Sequence, residues 1–185
     1  MKILNTFIAT LVIVLISACG GKSSDKAGSG EQEISLKDSI DARGVQSMQE
    51  SKSEMAIEFK GKSYSSMVYR CPDESLPHVK NDMGDTYMDN KISVRLMSGT
   101  TEIFNRTFTK NDFSAVVDSD FLSKSILEGI VFDKTSPDGF VFAASVCYPQ
   151  TDLYMPLSIT ITKEGKMAIR KVDMLEENLS EQTSE

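Results

Sequence analysis

The stretch Leu157-Ser158-Ile159-Thr160-Ile161-Thr162 decides the fold class. Apolar Leu157, Ile159 and Ile161 alternate with the hydroxyl-bearing Ser158, Thr160 and Thr162. Successive side chains on a strand point to opposite faces, so a period of two sets one face in a core and the other in water. Glu164-Gly165 then turns the chain into Met167–Val172, which reads as the return arm of an antiparallel hairpin.

The same grammar extends outward. Met55, Ile57 and Phe59 alternate with Ala56, Glu58 and Lys60, and a Gly61-Lys62 turn leads into 64–71. Ile92, Val94 and Leu96 alternate with Ser93, Arg95 and Met97 before Ser98-Gly99-Thr100 turns the chain into 102–109. The run 126–133 enters a Pro137-Asp138-Gly139 turn and emerges as Phe140–Tyr148. That last run is apolar on both parities and is expected at the centre of a sheet, covered on both faces. Gly129 within its run predicts a bulge. One short helix is expected near 110–124, with Thr109 or Asn111 as its cap and Asp112 at its positive end. The chain is thus expected to be mainly β, α+β at most. About seven to eight strands in antiparallel sheets would form a sandwich or an open barrel.

Length and charge bound the rest. The 185 residues suit one domain. The 20 basic against 27 acidic side chains give a formal charge of -7, a poor fit to nucleic acid, where phosphate contacts need clustered Lys and Arg. There is one His, so sites built on several histidines are excluded.

The N-terminus reads as an address. Lys2 precedes an apolar run to Ile16, too short for a membrane-spanning helix but suited to a signal peptide. The run ends in Ile16-Ser17-Ala18-Cys19, which resembles a bacterial lipoprotein cleavage box. The resemblance implies lipid on Cys19, and two or three acyl chains anchor stably where one would not. Gly20 follows the cysteine, which by resemblance to enterobacterial sorting rules favours the outer membrane, and Lys22-Ser23-Ser24-Asp25-Lys26 matches a surface-export signal poorly, which prefers the periplasmic face over the cell surface. The expected divisions are a signal peptide at 1–18, a flexible tether at 19–53, one β-rich domain at 54–174 and an acidic tail at 175–185. The tether's Gly, Ser and charged residues offer little apolar surface to offset ordering entropy.

Few residues suggest chemistry. Cys71 and Cys147 each precede a proline or lie two residues before one and could pair in an exported protein, closing a loop of about 76 residues worth roughly 4–5 kcal/mol. The alternative is two separately buried thiols. The loop 81–90 carries Asp82, Asp85 and Asp89, three oxygen donors of the type calcium prefers. Their spacing is not that of an EF-hand, and a solvated loop serves equally. His78 lies beside them without a partnered nucleophile, and no Gly-x-Ser-x-Gly elbow occurs. Tyr64, Tyr69, Tyr148 and Tyr154 suit either a core or a ligand groove. Met67, Met83, Met88 and Met97 are expected to be partly exposed. No cofactor is called for.

The stretches Asp73-Glu74-Ser75-Leu76-Pro77, Asp89-Asn90-Lys91-Ile92, Arg106–Phe113, Ile126–Gly129, Phe132-Asp133, Ala143–Val146 and Tyr148–Asp152 together resemble a family of small Bacteroidota lipoproteins of unknown function. The resemblance implies a cell-envelope protein and no catalytic residue. Three functions stay open: a non-catalytic module binding an envelope protein, peptide or glycan; an inhibitor or lipid-carrier barrel; and a hydrolase using carboxylates or a metal. The connection 71–90, with His78, Asp82, Asp85 and Asp89, is the expected binding surface, because structureless connections of this length are uncommon unless functional or disordered.

Overall fold

The computed structural model describes residues 39–40 and 44–172. The expected signal peptide, Cys19, most of the expected tether and the expected acidic tail lie outside the described residues.

Two antiparallel four-stranded sheets face one another. The first is built from Ser51–Phe59 (β3), Lys62–Pro72 (β4), Asn90–Ser98 (β7) and Thr101–Phe108 (β8), in the order β3-β4-β7-β8. The second is built from Ile126–Ser136 (β9), Gly139–Cys147 (β10), Tyr154–Ile161 (β11) and Met167–Lys171 (β12), in the order β12-β11-β10-β9. The inward parities meet in one core, where Ile92, Leu96, Phe108, Phe140, Phe142, Leu127 and Ile161 are almost wholly excluded from water. Tyr64 joins them with its ring edge against Phe140, the centroids 4.7 Å apart. The expected mainly antiparallel β fold is therefore the observed one, as a sandwich with no closed barrel.

The bulge expected at Gly129 is present one residue earlier. Ser145 pairs with Gly129 but Val146 pairs with Leu127, so Glu128 is the extra residue. The strand Gly139–Cys147 is central in its sheet, flanked by β9 and β11. Its two faces are covered unequally: Phe140, Phe142, Ala144 and Val146 enter the core, whereas Ala143 on the other parity is not buried. On that side Gly139, Val141 and Cys147, towards the ends, are buried.

A third, small sheet covers the Cys147 end. It is built from Ser39–Ile40 (β1), Val45–Ser47 (β2), Val79–Lys80 (β5) and Thr86–Tyr87 (β6), in the order β1-β2-β6-β5. The β2–β6 pair is parallel, an addition to the antiparallel expectation. Met48, Val79, Tyr87, Ile126 and Cys147 pack beneath as a second apolar cluster. The folded region thus begins well before residue 54, correcting the expected tether boundary. The composition of 19–53 averages over Val45 and Met48, 6% and 3% exposed, which find partners only in three dimensions.

The expected helix is split. A 3₁₀ turn spans Lys110–Phe113 and a short helix α1 spans Ser119–Ser123. Thr109 precedes the first, its backbone N–H donating to Asp112 Oδ2 at 2.8 Å. Asp118 caps the second by accepting from the Asp120 N–H at 2.8 Å.

Candidate functional site

The segment between β4 and β7 leaves and returns through one neck. The Asp73 N–H donates to the Asp89 carbonyl at 3.0 Å, and Lys91 Nζ sits 2.5 Å from Asp73 Oδ2. Lys91, together with hydrogen bonds from Ser75, holds the Asp73 carboxyl down at about 2. The excursion is an ordered loop.

Its tip is a hairpin finger made by β5 and β6. Asn81 organises it: its Oδ1 accepts from the Met83 and Asp85 backbone N–H groups at 3.1 and 2.8 Å. Its Nδ2 donates to Asp85 Oδ2 at 3.0 Å and to the Tyr87 hydroxyl at 3.3 Å. Gly84 adopts φ +92°, a conformation that L side chains rarely take. The result holds Met83 at the tip with 81% of its surface exposed.

The three aspartates expected to act together are separated by this geometry. Asp82 is exposed on the finger, and Asp85 is tied to Asn81. Asp89 is buried at the base, where Oδ1 accepts from the Asn90 and Leu127 N–H groups, both at 2.8 Å. Its Oδ2 lies 3.3 Å from Lys110 Nζ, which also donates to the Ser125 carbonyl at 2.7 Å. Asp89 is therefore a clamp joining the loop, the 3₁₀ turn and β9. Among the described residues no three His, Cys, Asp or Glu side chains cluster as a metal site would require, which overturns the calcium reading of Asp82, Asp85 and Asp89. His78 is exposed on the approach to β5.

The cysteines are also apart. Alternation along β4 sends Ser66, Val68 and Arg70 inward and leaves Cys71 on the outer parity of the first sheet. Alternation along β10 puts Cys147 on the outer parity of the second. Both are free thiols, so the expected pairing is not formed. Burial, reinforced by Glu128, pushes the Cys147 thiol up to about 12.

Beside the finger runs a cleft of about 150 Å³, lined by Lys80, Asp82, Met83, Lys124, Tyr148 and Pro149 among others. Tyr148 forms one wall and is stacked on Phe121 at 4.6 Å. The turn after β10 closes it: Gln150 takes φ +56° and its amide donates to Gln46 Oε1 at 2.6 Å. The expected binding loop therefore contributes half of a cleft. In the other half, Tyr148 is one of the tyrosines expected in a core or a groove, whereas Lys124 and 149–151 were missed. Among the tyrosines, Tyr64 is core, Tyr69 donates to Glu50 at 2.8 Å on the outer face, and Tyr154 is 48% exposed. Met88 is buried, contrary to expectation.

A family model described as a domain of unknown function (DUF4738) matches residues 31–169. The chain belongs to that family. The DUF4738 match contains the two-sheet core, the finger and both walls of the cleft, as well as every stretch that carried the resemblance. No curated protein matches the chain.

Proposed function

We propose that this DUF4738 protein is a lipid-anchored bacterial envelope protein, of the Bacteroidota type, whose sandwich acts as a binding module. Lipid on Cys19 would hold it at the outer membrane, and the cleft beside the finger would receive an apolar segment of an envelope protein or peptide. The observation that carries the binding reading is Met83, held 81% exposed on a tip whose backbone is fixed by Asn81 and facing a Tyr148–Pro149 wall. Exposed apolar side chains occur singly on most proteins, but a rigid tip over an apolar cleft retains little entropy to lose on binding. The address rests on Ile16-Ser17-Ala18-Cys19 after its apolar run.

Two measurements test these halves. Metabolic labelling with an alkyne fatty acid should tag the parent and not Cys19→Ser, and a tagged variant would remove the anchor. A photoreactive residue replacing Met83 in the full chain should give discrete crosslinks in cells that one replacing Met55, 38% exposed on β3, does not. The same products from both positions would remove the cleft. Replacing all of 79–88 would be uninformative, because Val79 and Tyr87 are core residues at 2% and 4% exposure.

A further inference from the structure

A second concavity lies at the other end of the sandwich, where the turns β3–β4, β9–β10 and β11–β12 converge. It encloses about 460 Å³, within the range of small-ligand sites. Its walls carry four cations, Lys60, Lys163, Lys166 and Arg170, against two carboxylates, Asp138 and Glu164. On a chain of net charge -7 this is a local inversion of sign.

Two of the cations are already used. Lys60 Nζ donates to the Pro137 carbonyl at 2.9 Å and lies 4.9 Å from the Phe59 ring centroid, bracing one turn against another. Lys163 sits 3.6 Å from Glu164. The ammonium of Lys166 and the guanidinium of Arg170 are exposed and have no partner among the described residues. Register places Arg170 opposite Ser158 and Ala168 opposite Thr160, so Arg170 projects from the outer face of the second sheet beside a small, hydroxyl-bearing floor.

The basin is also rigid. A Cβ on Gly139 would lie 2.2 Å from the Ile161 carbonyl oxygen, and one on Gly165 would lie 2.4 Å from that of Ile103. Two turns are thus packed directly on neighbouring backbone. Lys60 holds φ +50° where glycine or asparagine is the easier choice. A strained lysine braced across two turns points to a shape that is held for use.

We propose that this basin binds an acidic saccharide, with Lys166 and Arg170 receiving an oxyanion, whether carboxylate, sulfate or phosphate. Asp138 and Glu164 accept from ring hydroxyls, and Thr160 offers a further hydroxyl. A planar guanidinium matches an oxyanion with two parallel hydrogen bonds, and the ammonium adds a point charge. The volume accepts a sugar unit around that anion. The proposal is independent of the cleft beside the finger.

Calorimetry with the full chain in detergent, at an ionic strength of about 0.15 M, tests it. The probes are an oligogalacturonate, a sulfated disaccharide, uncharged maltotriose and inorganic phosphate. At least one acidic saccharide should bind saturably, and maltotriose at least about tenfold more weakly. Lys166→Gln with Arg170→Gln should lower the affinity at least about tenfold without moving Tm, because both side chains are exposed. Amide shifts on binding should centre on Thr160 and Ala168. Three results overturn the proposal: no acidic saccharide binds, maltotriose binds equally well, or the double variant keeps its affinity. Inorganic phosphate binding as tightly as the saccharides overturns the assignment to a sugar.

Discussion

Lys110 Nζ and Asp89 Oδ2 stand 3.3 Å apart with 10% and 2% of their side chains exposed. This pair joins the excursion after β4 to the connection that precedes β9. Removing one partner strands the other charge out of water, which typically costs about 3–5 kcal/mol, more than the intact pair contributes. Asp89→Ala should therefore lower stability by about that much in urea titration. Adding Lys110→Met should recover part of the loss. Additive losses would mean that the two do not act as a pair.

Glycine positions separate strain from contact. Gly99 has φ +58° and open space within 4 Å of where an added methyl would sit, whereas Gly139 has φ +150° and the Ile161 oxygen at 2.2 Å. Gly99→Ala should cost about 1 kcal/mol for its left-handed backbone. Gly139→Ala adds a clash with backbone and should cost about 3 kcal/mol or more. Thermal unfolding of the two variants under one set of conditions gives the comparison. Equal shifts would mean that the turn relaxes around the new methyl.

The sandwich was legible because its strands carry their own signal. Leu157, Ile159 and Ile161 announce one face at a period of two, and each lies in the core. The small third sheet was not legible. Val79–Lys80 and Thr86–Tyr87 are two residues each, too short to show a period, and their stability comes from Met48 and Ile126, remote in sequence. Asp89 shows the same limit at the candidate site. Its sequence neighbours resemble a solvated acidic loop, and only the fold supplies Lys110 and the Leu127 N–H. Charge spacing along a chain measures neither burial nor partners, so a structural carboxylate looked like a ligand.

Asp73 gives a pH signature. Lys91 and the Ser75 hydrogen bonds hold its carboxyl at about 2, below its ordinary 3.8. A depressed carboxyl contributes stability that is fully present above the unfolded value and lost as pH falls through the folded one. The stability gap between the parent and Asp73→Asn should be constant above about pH 5 and close between about pH 4 and 2. Added salt should narrow the gap, because the pair is partly open to water. A gap that persists unchanged at about pH 2 would assign the effect to the Ser75 turn and not to charge.

The two thiols should behave differently. Cys147 lies in the apolar cluster under Tyr87, and burial pushes its thiol up to about 12, so the reactive thiolate is scarce at neutral pH. Cys71 is raised too, by burial and then by Glu50 and Asp73, but it stands half-buried on an outer sheet face. Under native conditions a maleimide should modify Cys71 slowly and leave Cys147 untouched for as long as the domain stays folded. Denaturation without reductant should then expose Cys147 to the reagent, since the two are not bonded. The rate of Cys147 labelling should follow global unfolding and accelerate in Asp89→Ala, which loosens the adjoining β9. Intact mass spectrometry of the labelled chain checks each step. Failure of both thiols to label after denaturation, reversed by reductant, would restore the disulfide and require the two outer faces to rearrange.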